Sequence, residues 1–138
     1  MSNETEKLTI NLGIVELAQI DVLVEQGIFS NRSDFIRTSI RKQLENHQNT
    51  INRVLSPTTG KEGKIGIFSI GINYITKKDL EDAYLENGEK KFKISIIGML
   101  VIDNDVSVEL FEKTVIRATI RGKLIASPEI KMLIQEMK

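Results

Sequence analysis

The 138 residues carry 19 basic and 19 acidic side chains, so bulk charge points neither to nucleic acid nor to an acidic substrate, and any electrostatic reading has to be local. There is no cysteine and a single histidine, His47, which excludes disulfides, thiolate chemistry and the usual zinc sites. The length suits one ordinary domain or two small ones. The opening MSNETEKL is polar, and no apolar run is long enough for a membrane helix, so the expectation is a soluble, cytoplasmic protein with no membrane partner.

Residues 6 to 12, EKLTINL, alternate. Leu8, Ile10 and Leu12 fall on one face and Lys7, Thr9 and Asn11 on the other, the period of a half-buried strand. From Ile14 to Ile28 the period changes to that of a helix with a broad apolar stripe, and Gly27 supplies a stop. Ser30 or Asn31 then caps a second helix, which holds Asp34 in its first turn and places Phe35, Ile36, Ser39, Ile40 and Leu44 on its inner face up to about Asn46. Residues 47 to 64 lose this order and end in Pro57, Gly60 and Gly63, as a linker does, with residues 50 to 55 able to extend the preceding helix.

Beyond the linker, SIGINYIT (69 to 76), IIGMLVID (96 to 103) and IRGKLIAS (120 to 127) stack on Gly71, Gly98 and Gly122. Each apolar run ends at a residue able to cap a helix: Thr76 before KKDLEDAYL, Asp105 or Ser107 before VELFEKTV, Ser127 before PEIKMLIQEM with Pro128 at the first helical position. The simplest reading is about three strand-helix repeats on a parallel sheet; the other is an α+β arrangement in which the glycines mark bulges or close backbone approach. The domain division is therefore 1–48, a linker over 49–64, and a small α/β domain over 65–138, giving an α+β chain overall.

One short strand cannot satisfy its own backbone, and two helices cannot bury their stripes within about fifty residues. A second copy solves both problems if the two strands pair antiparallel about a two-fold axis. The order strand, helix, glycine turn, helix, with GIFSNRSDFIR (27 to 37) following EKLTINL, resembles the ribbon-helix-helix family of prokaryotic DNA-binding regulators, the CopG/Arc type. The resemblance covers residues 5 to about 48.

It implies a homodimer with a swapped β-ribbon that enters the major groove of double-stranded DNA at a palindromic operator, typically as a repressor. Its outward residues Lys7, Thr9 and Asn11 would read bases. The start of the second helix, Ser30, Asn31, Arg32 and Ser33, would hold phosphate. The C-terminal domain would serve oligomerisation, tetramers included, or effector sensing. Nickel-responsive members use histidine and cysteine ligands, and residues 65 to 138 contain neither, so no metal or other cofactor is expected. Asp103, Asp105 and Glu109 lie close in sequence but read more simply as capping acids in a strand-to-helix turn.

Residues 1 to 48 hold five basic and seven acidic side chains, a net −2 that is unusual for a phosphate-binding module and leaves Arg53, Lys61 and Lys64 as supplementary cations. That charge favours the alternative of an oligomeric protein-interaction or assembly module; an antitoxin-like partner is a third reading. With no nucleophile elbow, phosphate loop or paired histidine, an enzyme is not expected.

Overall fold

The computed structural model describes residues 5 to 55 and 66 to 137 and divides the chain into two compact units, Met1–Asn49 and Thr50–Lys138. The first holds α1 (Ile14–Glu25) and α2 (Arg32–Asn46). A short helix, α3 (Gln48–Leu55), follows and occupies the first part of the stretch expected to be linker. The remainder of that stretch, with Lys61 and Lys64, lies outside the described residues.

Residues 5 to 13 belong to no helix or strand in the single chain, although a strand is expected over 6 to 12. The physical reason is that a strand is defined by its partner. Among the described residues no neighbouring backbone supplies one, and Leu8, Ile10 and Leu12 remain 77%, 54% and 39% exposed.

The second unit alternates strand and helix: β1 (Gly66–Ile75), α4 (Lys77–Glu86), β2 (Phe92–Ile102), α5 (Val108–Thr114), β3 (Val115–Ile125) and α6 (Pro128–Glu136). The three strands form one parallel sheet in the order β1-β2-β3. Each helix begins where its sequence supplies a cap. The Thr76 hydroxyl accepts from the Asp79 N–H while the Asp79 carboxylate accepts from the Thr76 N–H, a closed capping box. Ser107 and Ser127 accept from the N–H groups of Leu110 and Ile130.

Alternate residues of the strands enter a core with one face of each helix. Ile94, Ile96 and Leu100 of β2 meet Leu80 of α4, Phe111 of α5 and Ile130 of α6, all essentially buried. All three helices therefore cover the same face of the sheet.

Gly71, Gly98 and Gly122 are register partners across the sheet, with φ of 122°, 130° and 134°. In this left-handed region a side chain would point along the sheet plane rather than out of it. A Cβ at Gly98 would lie 2.3 Å from the Gly71 carbonyl oxygen, and one at Gly122 would lie 1.8 Å from that of Gly98. Only glycine fits the second and third positions.

Candidate nucleic-acid interface

In the first unit α1 ends in a Schellman motif. Gly27, at φ 75°, donates to the Val24 carbonyl, and Ile28 donates to that of Leu23. This reversal brings the start of α2 back beside α1. Phe29 and Phe35 close the turn edge to face, their ring centroids 5.1 Å apart.

The residues expected at a phosphate site gather here, and the side chains of Asn31 and Arg32 already have partners. Asn31 is the N-cap, its side chain accepting from the Asp34 N–H at 2.8 Å. The Ser30 N–H donates to the Asp34 carboxylate at 3.0 Å. Arg32 forms a two-pronged pair with Asp21 of α1, Nε to Oδ1 at 2.8 Å and the second guanidinium nitrogen to Oδ2 at 2.9 Å. Ser33 is exposed on the first turn of α2.

The Arg32 hydrogen bond holds the Asp21 carboxyl below its ordinary range, and Asp21 in turn raises the guanidinium. Because the folded-state value is depressed, whatever the pair contributes to stability is present above the ordinary carboxylate range and is lost only as the pH falls through the lowered value. The pair is thus intact at neutral pH.

Lys7, Thr9 and Asn11 are exposed. Leu8, Ile10 and Leu12, the intended inner face, are exposed as well. Beneath them the two helices leave an apolar groove of about 510 Å³, lined by Ile10, Leu12, Leu23, Phe35, Ile36 and Ile40 among others. Ile20 is the one buried hydrophobic residue among the described positions of this unit. A helix pair with one buried side chain lacks the apolar burial that holds a domain together.

A model of the Ribbon-Helix-Helix transcriptional regulator family matches residues 3–131. The chain belongs to that family. The match runs through both units, so this ribbon-helix-helix regulator carries its α/β unit as part of the family pattern rather than as an unrelated attachment. No curated protein and no solved structure matches it.

Elsewhere in the regulator, the acidic residues of the β2–α5 loop serve the fold. Asp103 accepts from the Asp105 N–H, and Asp105 accepts from the Lys77 N–H at the start of α4. No group of three or more metal-binding side chains comes together among the described residues. His47 is the exposed C-cap of α2. None of the described helices is long and apolar enough to cross a membrane.

Asp21 is the site residue that sequence reasoning missed. It sits 11 positions from Arg32 with a chain reversal between them, and no fixed sequence spacing signals such a contact. Its only trace in the sequence is a lone carboxylate on a stripe otherwise rich in apolar residues.

Proposed function

We propose that the protein is a cytoplasmic, sequence-specific DNA-binding regulator, most simply a repressor, that acts as a homodimer and by binding rather than catalysis. The carrying observation is the first unit's unfinished core. Leu8, Ile10 and Leu12 stand exposed beside an apolar groove of matching character. A second copy fills that groove and pairs the two segments into an antiparallel ribbon. Each of these side chains, once fully buried, contributes about 1.5 to 3 kcal/mol.

Pairing also sorts the two faces. Burying Leu8, Ile10 and Leu12 turns Lys7, Thr9 and Asn11 outward as a two-stranded reader narrow enough for the major groove of a palindromic operator. Lysine suits guanine, asparagine suits adenine, and threonine contacts either a polar edge or a thymine methyl. The start of α2 contributes Ser30, Asn31, Arg32 and Ser33 to the flanking phosphate. The C-terminal α/β unit then serves oligomerisation or effector binding.

Binding of labelled operator fragments tests this reading. Asn11→Ala and Thr9→Ala relax sequence preference at a cost of about 1 to 3 kcal/mol per lost base contact. Arg32→Ala weakens all DNA sequences alike and flattens the salt dependence. Unchanged affinity in both Asn11→Ala and Arg32→Ala would contradict the assigned roles.

The Asp21 pair adds a sharper expectation. Asp21 competes with a phosphate for the two-pronged edge of the Arg32 guanidinium, so Asp21→Asn raises affinity for specific and non-specific DNA and steepens the salt dependence, whereas Asp21→Asn combined with Arg32→Ala does neither. Fluorescence anisotropy across a salt series reads both. An assembly module that never touches DNA, the reading favoured by the unit's net −2, predicts no salt-dependent binding in any of these variants.

A further inference from the structure

The helices of the second unit cover one face of its sheet, and charge divides between the two layers. Helices α4, α5 and α6 hold four basic and eight acidic side chains. Among the described residues the three strands hold four charged side chains, Lys93, Arg117, Arg121 and Lys123, and all are cationic and exposed. Lys93 and Arg117 are register partners, and Arg121 and Lys123 pair with Ile97 and Met99, whose β2 neighbours Ile96 and Leu100 enter the core. Side chains alternate along a strand, so all four cations belong to the helix-free face. A chain with equal numbers of acidic and basic residues concentrates one sign on one surface.

Aromatic and aliphatic side chains share that face. Strand β1 places Phe68, Ile70, Ile72 and Tyr74 on it, in alternation with the core-facing Ile67 and Ile75, and Ile70, Ile72 and Tyr74 are 48%, 48% and 67% exposed. The register interleaves rings with cations. Phe68 falls in the row of Thr119, between those of Arg117 and Arg121, and Tyr74 falls in the row of Ile125, next beyond that of Lys123. Cations therefore line the β3 margin and rings the β1 margin, about 10 Å away across two strand spacings.

We propose that this face binds single-stranded nucleic acid, its sugar-phosphate backbone along β3 and its bases laid across β2 toward Phe68 and Tyr74. The row of cations supplies a sequence-independent attraction to phosphate. Arginine suits that margin, because its planar guanidinium binds phosphate through two parallel hydrogen bonds and stacks on flat rings. The aromatic margin supplies stacking, which every base can accept because every base has a π-face. A duplex meets only half of this surface: pairing hides the faces of its bases and would leave Ile70, Ile72 and Tyr74 in water. A single strand uses both halves at once. The inference concerns the second unit alone and stands or falls independently of the duplex binding proposed for the first.

Fluorescence anisotropy of labelled oligothymidylate and oligouridylate, titrated with the full-length protein across a salt series, tests this. Neither homopolymer can form a duplex with itself, so operator recognition does not contribute. The parent chain is expected to bind at least one of them, more weakly as salt rises, and the tighter of the two identifies the sugar. Arg117→Gln combined with Arg121→Gln should weaken binding about tenfold or more and flatten the salt dependence. Tyr74→Ala should weaken it about fivefold or more at an unchanged salt slope, and Tyr74→Phe should restore it. Lys131→Gln, on the helical layer, should bind as the parent does. The substituted side chains are exposed, and circular dichroism checks the folding of each variant. A parent chain that binds neither oligonucleotide overturns the proposal, as does undiminished binding by the double arginine variant or by Tyr74→Ala. So does a double arginine variant that loses duplex binding as steeply as oligonucleotide binding, because the face would then be a duplex contact. Tighter binding to phosphatidylserine vesicles than to either oligonucleotide overturns it as well, in favour of a membrane surface.

Discussion

Gly122→Ala is expected to remove about half of the stability of the α/β unit. The added methyl would stand 1.8 Å from the Gly98 carbonyl oxygen and 2.8 Å from its carbon, backbone atoms that cannot swing aside as a flexible side chain would. Two costs combine. A non-glycine residue held at a φ of 134° is strained by about 1 to 3 kcal/mol, and forcing atoms into filled space costs about 1 to 3 kcal/mol more. A unit of this size has about 4 to 11 kcal/mol in hand. The melting temperature should fall by at least about 8 °C at some 4 to 8 °C per kcal/mol, read by circular dichroism.

Gly71→Ala is the control, since it shares the positive φ but meets nothing within 4 Å. It should cost only the strain. Equal losses at positions 71 and 122 would mean that close strand approach plays no part in keeping glycine there.

Leu12→Asp is expected to abolish the dimer and, with it, operator binding. Leu12 lines the open groove and is 39% exposed in the single chain. In the proposed dimer it would lie beneath the paired segments, where a carboxylate has neither water nor a cation. Burying an unpaired charge costs several kcal/mol, and the leucine's own burial, about 1.5 to 3 kcal/mol, is forfeited twice over because the two-fold repeats every contact. Sedimentation should show monomers at concentrations where the parent chain is dimeric, with operator affinity reduced more than a hundredfold. Asn11→Asp, one residue away on the outward face, should leave the dimer intact while weakening DNA binding. Dimers that persist in Leu12→Asp would place the shared surface elsewhere.

Much of this architecture is written in local chemistry. The glycine stop at Gly27, the cap at Asn31, and the starts of α4, α5 and α6 at Thr76, Ser107 and Ser127 follow from side chains acting on their own backbone within four residues. Stacking the three apolar runs on Gly71, Gly98 and Gly122 reproduces the register the sheet adopts, because only glycine tolerates a Cβ position that points at the neighbouring strand. What stays hidden in the sequence depends on contacts between distant segments. The Arg32–Asp21 pair exists only once the turn has folded. Helix α3 covers Gln48–Leu55, where the composition reads as linker although residues 50 to 55 are able to extend a helix. Which face of the sheet the helices cover is decided by the crossovers and not by alternation.

Lys7, Thr9 and Asn11 were legible as one face of an alternating segment, and the structure leaves them exposed. The role proposed for them rests on a partner strand that one chain cannot supply. Hydrogen exchange across residues 7 to 12 of the full-length protein tests that partnership most directly. Paired as a ribbon, these amides should exchange at least a hundredfold more slowly than in a free peptide, and the protection should disappear on dilution or in Leu12→Asp. Exchange at the free-peptide rate in a protein that sediments as a dimer would contradict the account.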